Sequence, residues 1–289
     1  MQRQTEALTE LLAAGPALVV TGAGISTDSG IPDYRDASGR MRHVSPMTYQ
    51  RFVGSHDERR RYWARSHLGW PRIAAARPNA SHRAVTALQA AGHVRGVVTQ
   101  NVDGLHTAAG TAGVIDLHGR LDAVACLDCD VRRPRLELGL RLDAVNPGFR
   151  ERVAAGARSH RPDGDVVIAE DVVAGFRVVA CRRCEGVLKP DVVFFGEHVP
   201  SERFRAALGL LDRSAALLVL GSSLMVGSGF RFVTAARRRG LPIAIVSRGV
   251  TRGDALAAIK VDASLGRVLP AVAEALADPP ARHATLPAG

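Results

Sequence analysis

Short apolar runs alternate along this chain with longer amphipathic segments. Four runs end in turns of small or polar residues, as buried strands of a parallel sheet do, and they cover residues 17–20, 94–99, 215–220 and 241–246. Helical periodicity follows or precedes them at residues 1–14, 80–91, 201–213, 228–239 and 266–277. This alternation predicts an α/β fold, a doubly wound parallel Rossmann-like sheet with helices on both faces.

Two stretches interrupt the alternation. Residues 36–79 are rich in Arg, His and aromatic residues and are expected to be irregular or short-helical, while residues 120–187 contain both cysteine pairs. We expect these insertions to form a smaller domain, a helical module (36–79) plus a four-cysteine zinc module (120–187). The Rossmann-like domain would then comprise residues 1–35, 80–119 and 188–278, with 279–289 as a loose tail.

Composition is that of a folded protein, with 46% hydrophobic and 23% charged residues. The formal net charge of +10 favours acidic partners and non-specific contact with nucleic acid. No nucleic-acid-binding motif accompanies the charge, so we expect a solvated Arg-rich surface and no specific nucleic-acid partner. We also expect no membrane partner, because no uncharged apolar stretch approaches the ~20 residues of a span. The N-terminal residues lack a secretory signal, which predicts a cytoplasmic protein.

A glycine-rich turn follows the first apolar run. Residues 22–26 (Gly-Ala-Gly-Ile-Ser) offer a backbone that can approach a pyrophosphate closely. Thr27 stands where a third glycine is usual, so an ordinary strand-to-helix turn remains an alternative. The segment 33–35 (Asp-Tyr-Arg) places an acid, an aromatic ring and a cation near this turn, although a simple surface loop is also compatible with it.

Polar side chains follow the second apolar run. Gln100, Asn101 and Asp103 carry amide and carboxylate groups that can hold a carboxamide or ribose hydroxyls. His106 and His118 offer imidazoles, whose pKa suits proton transfer near neutral pH. Spacing alone does not choose His118 over His106 or over the other eight histidines.

The four cysteines form two CxxC pairs. Cys126, Cys129, Cys181 and Cys184 supply four soft ligands for a closed tetrahedral zinc site. Four thiolates leave no open coordination position, so such an ion would be structural. A dithiol redox role is the alternative.

Six separated motifs carry a resemblance to a known family. They are GAGISTDSGIPDYR (22–35), TQNVDGLH (99–106), HG (118–119), the two CxxC pairs, KPDVVFFGE (189–197) and GSSLMV (221–226). In this order they resemble the sirtuin family, and they extend over most of the chain. The segments YWARSHLGWP (62–71) and PDGDV (162–166) are most similar to the class II branch, whose eukaryotic members are mitochondrial.

The resemblance implies an NAD-dependent protein-lysine deacylase that acts on acyl-lysine proteins or peptides and yields nicotinamide and O-acyl-ADP-ribose. It implies one structural zinc ion. Mono-ADP-ribosyl transfer to protein is the alternative, and a non-catalytic NAD-sensing module is a further one.

The resemblance also implies roles for individual residues, with His118 as the catalytic base. The implied NAD contacts are Gly22, Ala23, Gly24, Ile25, Ser26, Asp33, Tyr34, Arg35, Gln100, Asn101, Val102, Asp103, Gly221, Ser222, Ser223, Ser247, Arg248, Gly249 and Leu265. A substrate peptide is expected to add as a strand between two edges formed by Val193, Phe194, Phe195, Gly196, Leu224 and Val226.

Two features bear on affinity and specificity. Ser247 occupies a position that is commonly Asn in the family, where it meets the adenosine ribose, so we expect weaker NAD affinity. Tyr62 and Arg65 lie three residues apart, on one face if helical. They match a Tyr-x-x-Arg feature that binds the carboxylate of acidic acyl groups, which predicts a preference for acidic or longer acyl groups over acetyl. Simple packing and solvation of a helix is the alternative.

Overall fold

The computed structural model describes residues 2–34, 36, 38, 40–41, 46–154, 158–160, 166–168 and 170–277. Its strands are β1 Ala17–Thr21, β2 Val94–Thr99, β3 Ile115–Asp116, β4 Gly119–Cys126, β5 Arg132–Pro134, β6 Arg158–His160, β7 Val166–Val167, β8 Leu188–Val192, β9 Ala216–Leu220, β10 Ile243–Val246 and β11 Ile259–Val261. Its α-helices are α1 Gln2–Ala14, α2 Tyr49–Gly54, α3 His56–Ala75, α4 Ala80–Ala90, α5 Leu105–Ala108, α6 Arg135–Val145, α7 Phe149–Ala154, α8 Glu170–Ala174, α9 Ser201–Leu211, α10 Gly227–Arg238 and α11 Leu265–Ala277. Among the helices in these described residues, none is long and apolar enough to cross a membrane.

The large sheet has six parallel strands in the order β11-β10-β9-β1-β2-β3. The chain first adds β2 and β3 on one side of β1, and later adds β9, β10 and β11 on the other side. The direction therefore reverses between β1 and β9, and ligands of such sheets bind at this switch point, beyond the carboxyl ends of the strands. The predicted doubly wound fold is confirmed.

Alternation of side chains along the buried strands gives the sheet an apolar core on each face. Val19 of β1 packs with Leu8 and Leu12 of α1 in a cluster that also includes α4 and α11. Leu18 and Val20 point into the opposite cluster, which α9 and α10 cover. Because both faces are covered, these strands are continuous apolar runs.

The second sheet is antiparallel, in the order β5-β4-β8. It shares an apolar cluster with α3, which contributes Tyr62, Trp63 and Ile73. The 20-residue length of α3 differs from our expectation of an irregular or short-helical segment. Ser55 caps the helix by accepting a hydrogen bond from the Glu58 N–H, and its buried aromatic side contacts the small sheet. The charged, proline-containing sequence of this region hid its helical periodicity.

One predicted boundary differs from the strand pairing. Residues 188–192, which we assigned to the Rossmann-like domain, form β8 and pair with β4 in the small sheet. Leu188 and Val192 of this strand, and Phe194 just after it, pack in the apolar cluster around α3. The other boundaries stay predictions, and the tail 279–289 lies outside the described residues.

Candidate active site and metal centre

A cavity of about 820 Å³ opens at the switch point of the large sheet. The turns after β1, β2, β9 and β10 line one side of it, and residues 192–199, which follow the small sheet, line the other. The four post-strand turns therefore share one cleft, as expected of a doubly wound sheet.

The glycine turn owes its composition to a close approach between two loops. A Cβ atom on Gly22 would lie 2.8 Å from Ser222 Cβ, and one on Gly24 would lie 2.8 Å from the Gly221 carbonyl oxygen. The Gly24 N–H donates to that same oxygen at 2.9 Å. These glycines thus let the turns after β1 and β9 touch, and both turns line the cleft at the switch point.

A hydrogen-bonded group of side chains joins the turns after β1 and β2. Asn101 Nδ2 donates to the Gly22 carbonyl at 3.2 Å and to Ser26 Oγ at 3.1 Å. Ser26 Oγ in turn donates to Asp103 Oδ2 at 2.7 Å, and the Leu105 N–H donates to Asp103 Oδ1 at 2.9 Å. Burial raises the pKa of the Asp103 carboxyl, against these hydrogen bonds, which favour its charged form.

His118 lies on the cleft wall, held at both ring nitrogens. Its Nδ1 lies 2.9 Å from the Gln100 carbonyl oxygen and its Nε2 lies 2.8 Å from Ser228 Oγ. Burial lowers the pKa of His118, and the charge of Arg203 lowers it further, although the contact with the Gln100 carbonyl raises it. A neutral imidazole on a ligand cleft can act as a general base.

His106, the other candidate, lies outside the cleft. It is 2% exposed, and its Nε2 lies 3.1 Å from Thr21 Oγ1 beneath the turn after β1. Its ring contacts that of His82 edge to face at 4.9 Å, and burial lowers its pKa to about 3. Of these two candidates, His118 is therefore the one that a ligand in the cleft can reach.

Most residues predicted to contact the cofactor are on the cleft wall. They are Gly22, Ala23, Gly24, Ser26, Asp33, Tyr34, Gln100, Asn101, Val102, Asp103, Gly221, Ser222, Ser223, Ser247, Arg248 and Leu265. Ile25 is instead buried in the core at 1% exposure, and the Gly249 N–H donates to Asp262 Oδ1 away from the wall. Arg35 lies outside the described residues.

The predicted substrate residues divide in a similar way. Residues 193–196, Leu224, Val226 and Tyr62 line the cleft. Arg65 is not on its wall, and its Nε donates to the Val166 carbonyl at 2.7 Å. Of the PDGDV segment, only Val166 is among the described residues.

Some cleft residues escaped the sequence analysis. Ser228 and Arg231 follow the predicted Val226 edge within the first turns of α10, and Arg72 reaches the cleft from α3. Ser228 lies only two positions beyond Val226, but nothing in its spacing predicts contact with a histidine 110 positions away.

The two cysteine pairs meet in the second sheet. Their four Sγ atoms lie within 4.8 Å of one another, and Cys129 and Cys181 approach to 3.8 Å although they are 52 positions apart. Antiparallel pairing of β4 and β8 brings them together, since Cys126 is the register partner of Leu188. Four clustered thiols suit one structural zinc ion.

The two CxxC turns have the same backbone form. Asp130 and Glu185, which follow the second cysteine of each pair, adopt left-handed φ values of 54° and 59°. The N–H of each donates to the carbonyl of the first cysteine of its pair, Cys126 or Cys181, at 3.1 Å and 2.9 Å. This repeated turn places both thiols of a pair on the same side, as is required if both are to bind one metal ion.

Comparison with known proteins identifies the family. A sequence profile of the Sir2 family matches residues 22–228. The chain belongs to the Sir2 family. It is 54% identical over 267 residues, 92% of this chain and 88% of the relative, to an NAD-dependent protein deacetylase 1 of Streptomyces coelicolor.

Solved structures extend this relationship to three dimensions. A structure concerned with the mechanism and regulation of Sir2 enzymes superposes with a TM-score of 0.72 at 29% identity, covering 96% of this chain and 99% of the other. A structure of Sir2 bound to acetylated peptide superposes with a TM-score of 0.70 at 27% identity, covering 93% and 97%. This Sir2-family chain therefore has the family's fold.

Proposed function

We propose that this Sir2-family chain is an NAD-dependent protein-lysine deacylase that releases nicotinamide and O-acyl-ADP-ribose. The observation that carries the proposal is the position of His118. Its imidazole lies on one cleft with the glycine turn after β1 and with the apolar edges around Phe195 and Leu224. We interpret these three groups of residues as a dinucleotide site, a general base and a peptide-binding edge. The proposal agrees with the names of two relatives, both NAD-dependent protein deacetylases.

The proposed role of each residue in the dinucleotide site follows from the chemical group that it presents to the cleft. When bound, NAD supplies the ribose carbon that accepts the acyl oxygen and the nicotinamide that leaves. Residues 22–24 and Gly221 line the cleft without bulky side chains, so a pyrophosphate can approach their backbone closely. Asn101 and Asp103 present amide and carboxyl groups suited to a carboxamide. His118 Nε2 would accept a proton from a ribose hydroxyl.

The peptide would bind as an added strand. Residues 193–196 line the same cleft as Leu224 and Val226, and Phe195 is 39% exposed. Main-chain hydrogen bonds to such edges give affinity with little dependence on peptide sequence. We therefore expect acyl-lysine in many sequence contexts to be accepted.

We further propose that the enzyme prefers acyl-lysine substrates with acidic or longer acyl groups over acetyl-lysine. Tyr62 lies on the cleft wall and Arg65 follows it on α3, so the pair can place a guanidinium near the end of an acyl chain. The present contact of Arg65 with the Val166 carbonyl means that the guanidinium must turn to bind a carboxylate.

This preference can be tested with matched acetyl and glutaryl peptides. Arg65→Ala should reduce glutaryl hydrolysis about tenfold or more and leave acetyl hydrolysis within about threefold, since a charge-assisted contact is lost. Arg59→Ala is the control, because Arg59 of the same helix donates to the Phe52 and Val53 carbonyls. Equal glutaryl rates for wild type and Arg65→Ala would refute the preference.

The central experiment incubates the protein with NAD and a panel of acyl-lysine peptides while nicotinamide release and peptide mass are followed together. Acyl loss that requires NAD and falls about 10²-fold or more in His118→Ala supports the proposal. His93→Ala is the control, because His93 contacts the Leu12 carbonyl far from the cleft wall. Nicotinamide release with transfer of radiolabel to a protein that lacks acyl-lysine would favour mono-ADP-ribosyl transfer instead.

A further inference from the structure

The Ser228 hydroxyl is the direct partner of the His118 Nε2 atom, at 2.8 Å. The other ring nitrogen, Nδ1, lies 2.9 Å from the Gln100 carbonyl oxygen, which can only accept a hydrogen bond. Nδ1 must therefore carry the proton of the neutral ring. Nε2 is then the acceptor, and Ser228 donates its hydroxyl hydrogen to it.

Ser228 has a fixed position relative to the imidazole. It lies in the first turn of α10, and a Cβ atom on the next residue, Gly229, would come within 2.6 Å of Gln100 Nε2. The first turn of α10 is thus packed directly against Gln100. Ser222 Oγ also donates to Gln100 Oε1 at 2.7 Å. Gln100 therefore contacts His118 through its backbone carbonyl and packs through its side chain against the turn that carries Ser228.

The electrostatic surroundings also favour a neutral ring. The 12-residue helix α10 begins beside His118, and the positive end of a helix dipole disfavours an imidazolium. Arg203 on α9 adds a second positive influence, and its charge lowers the pKa of His118. Ser228 and the helix start therefore act on the imidazole in the same direction.

We infer that Ser228 is a positioning residue that holds His118 as the Nδ1–H tautomer with the Nε2 lone pair directed into the cleft. The inference rests on the proposed deacylase function, in which that lone pair takes a proton from a ribose hydroxyl. Ser228 fills the hydrogen-bonding position at Nε2 before the ribose hydroxyl arrives, and it yields this position to the hydroxyl during the reaction.

The kinetic test compares Ser228→Ala, Ser228→Thr and wild type across pH 5.5 to 9.5 with an acetyl-lysine peptide. Ser228→Ala should lower kcat about tenfold with KM values for NAD and peptide within about threefold, as is typical when the partner of a catalytic group is lost. The acid limb of its kcat/KM profile should move to higher pH, because the neutral imidazole loses a donor. Ser228→Thr should restore most of the rate, and Thr234→Ala on the same helix should behave as wild type.

A nitrogen-15 NMR titration of the His118 ring provides a readout that does not depend on turnover. Wild type should show the Nδ1–H tautomer, and Ser228→Ala should show a changed Nε2 shift and titration at higher pH. An unchanged Nε2 shift and unchanged titration in Ser228→Ala would overturn the inference even if the protein deacylates no peptide. A rate loss matched by Thr234→Ala, with unaltered pH profiles, would also overturn it. Absence of wild-type turnover, in contrast, would count against the deacylase proposal.

Discussion

The Asp103 carboxylate accepts a hydrogen bond from the Ser26 hydroxyl at 2.7 Å, across 77 positions of sequence. This bond joins the turn after β2 to the turn after β1, the two adjacent strands beside the switch point. Because Asp103 also accepts from the Leu105 N–H, the carboxylate organises both loops of the proposed nicotinamide end of the cleft.

Replacing Asp103 should therefore weaken NAD binding more than replacing Ser26. Asp103→Ala removes the carboxyl group from the proposed nicotinamide end, and loss of a single hydrogen bond to a charged group costs about 1.5–3 kcal/mol, so NAD affinity should fall about 10- to 100-fold. It also leaves two donors of the neighbouring loops without their acceptor. Ser26→Ala removes one of these bonds and should cost about tenfold or less. Calorimetric titration of NAD into variants that also carry His118→Ala would measure both.

The control for this comparison is Asp122→Ala. Asp122 forms an ion pair with Arg120, and neither residue is on the cleft wall. NAD affinity equal to wild type in Asp103→Ala would show that this carboxylate has no part in the dinucleotide site.

The cysteine cluster predicts a structural metal. Cys181→Ser should reduce bound zinc from one ion per chain to nearly none and lower Tm by roughly 5 °C or more, because structural zinc contributes folding free energy directly. Metal analysis and thermal unfolding would measure both effects. Arg182→Ala, an exposed neighbour within the same CxxC pair, should retain zinc and Tm. Full zinc content in Cys181→Ser would contradict the site.

Two buried histidines predict a loss of stability in mild acid. Burial lowers the pKa of His82 to about 4 and that of His106 to about 3, below their ordinary value of 6.5. The unfolded chain therefore binds more protons than the folded chain below about pH 6.5. Stability is complete above that pH and falls as the pH decreases, by up to about 1.4 kcal/mol per pH unit for each histidine.

Denaturant unfolding at pH 7.5, 6 and 5 would test this. His106→Asn, which removes one titrating group, should lose about 2 kcal/mol less than wild type between pH 7.5 and pH 5. His56→Asn is the control, because the His56 side chain is 61% exposed. Parallel pH dependence in wild type and His106→Asn would mean that His106 does not contribute.

Replacing Ser247, the residue after β10, with Asn should raise the affinity for NAD. Ser247 lies on the cleft wall at 8% exposure, and we propose that it contacts the adenosine ribose of the dinucleotide. Asn has a longer side chain with both donor and acceptor groups, so Ser247→Asn should strengthen NAD binding about threefold to tenfold. The KM for peptide should not change. Weaker NAD binding in this variant would place the ribose elsewhere.

The sequence by itself determined the features that neighbouring residues encode. Buried strands such as 94–99 were recognisable because both faces of a covered parallel sheet need apolar side chains. The cysteine pairs and the glycine turn were recognisable because a ligand set or a tight turn needs particular residue types at short spacing. Where local composition was ambiguous, as in the charged helix α3, the sequence alone misjudged the element.

The tertiary structure decided which distant groups meet. It placed His118 on the cleft and His106 in the core, although both histidines come after β2 in the sequence and have the same side-chain chemistry. It joined Cys129 to Cys181 through the pairing of β4 with β8, and it brought Ser228 to His118 through the packing of α10 against Gln100. These relationships depend on strand order and long-range packing, because contacts between side chains 52 or 110 positions apart leave no local periodicity in the sequence.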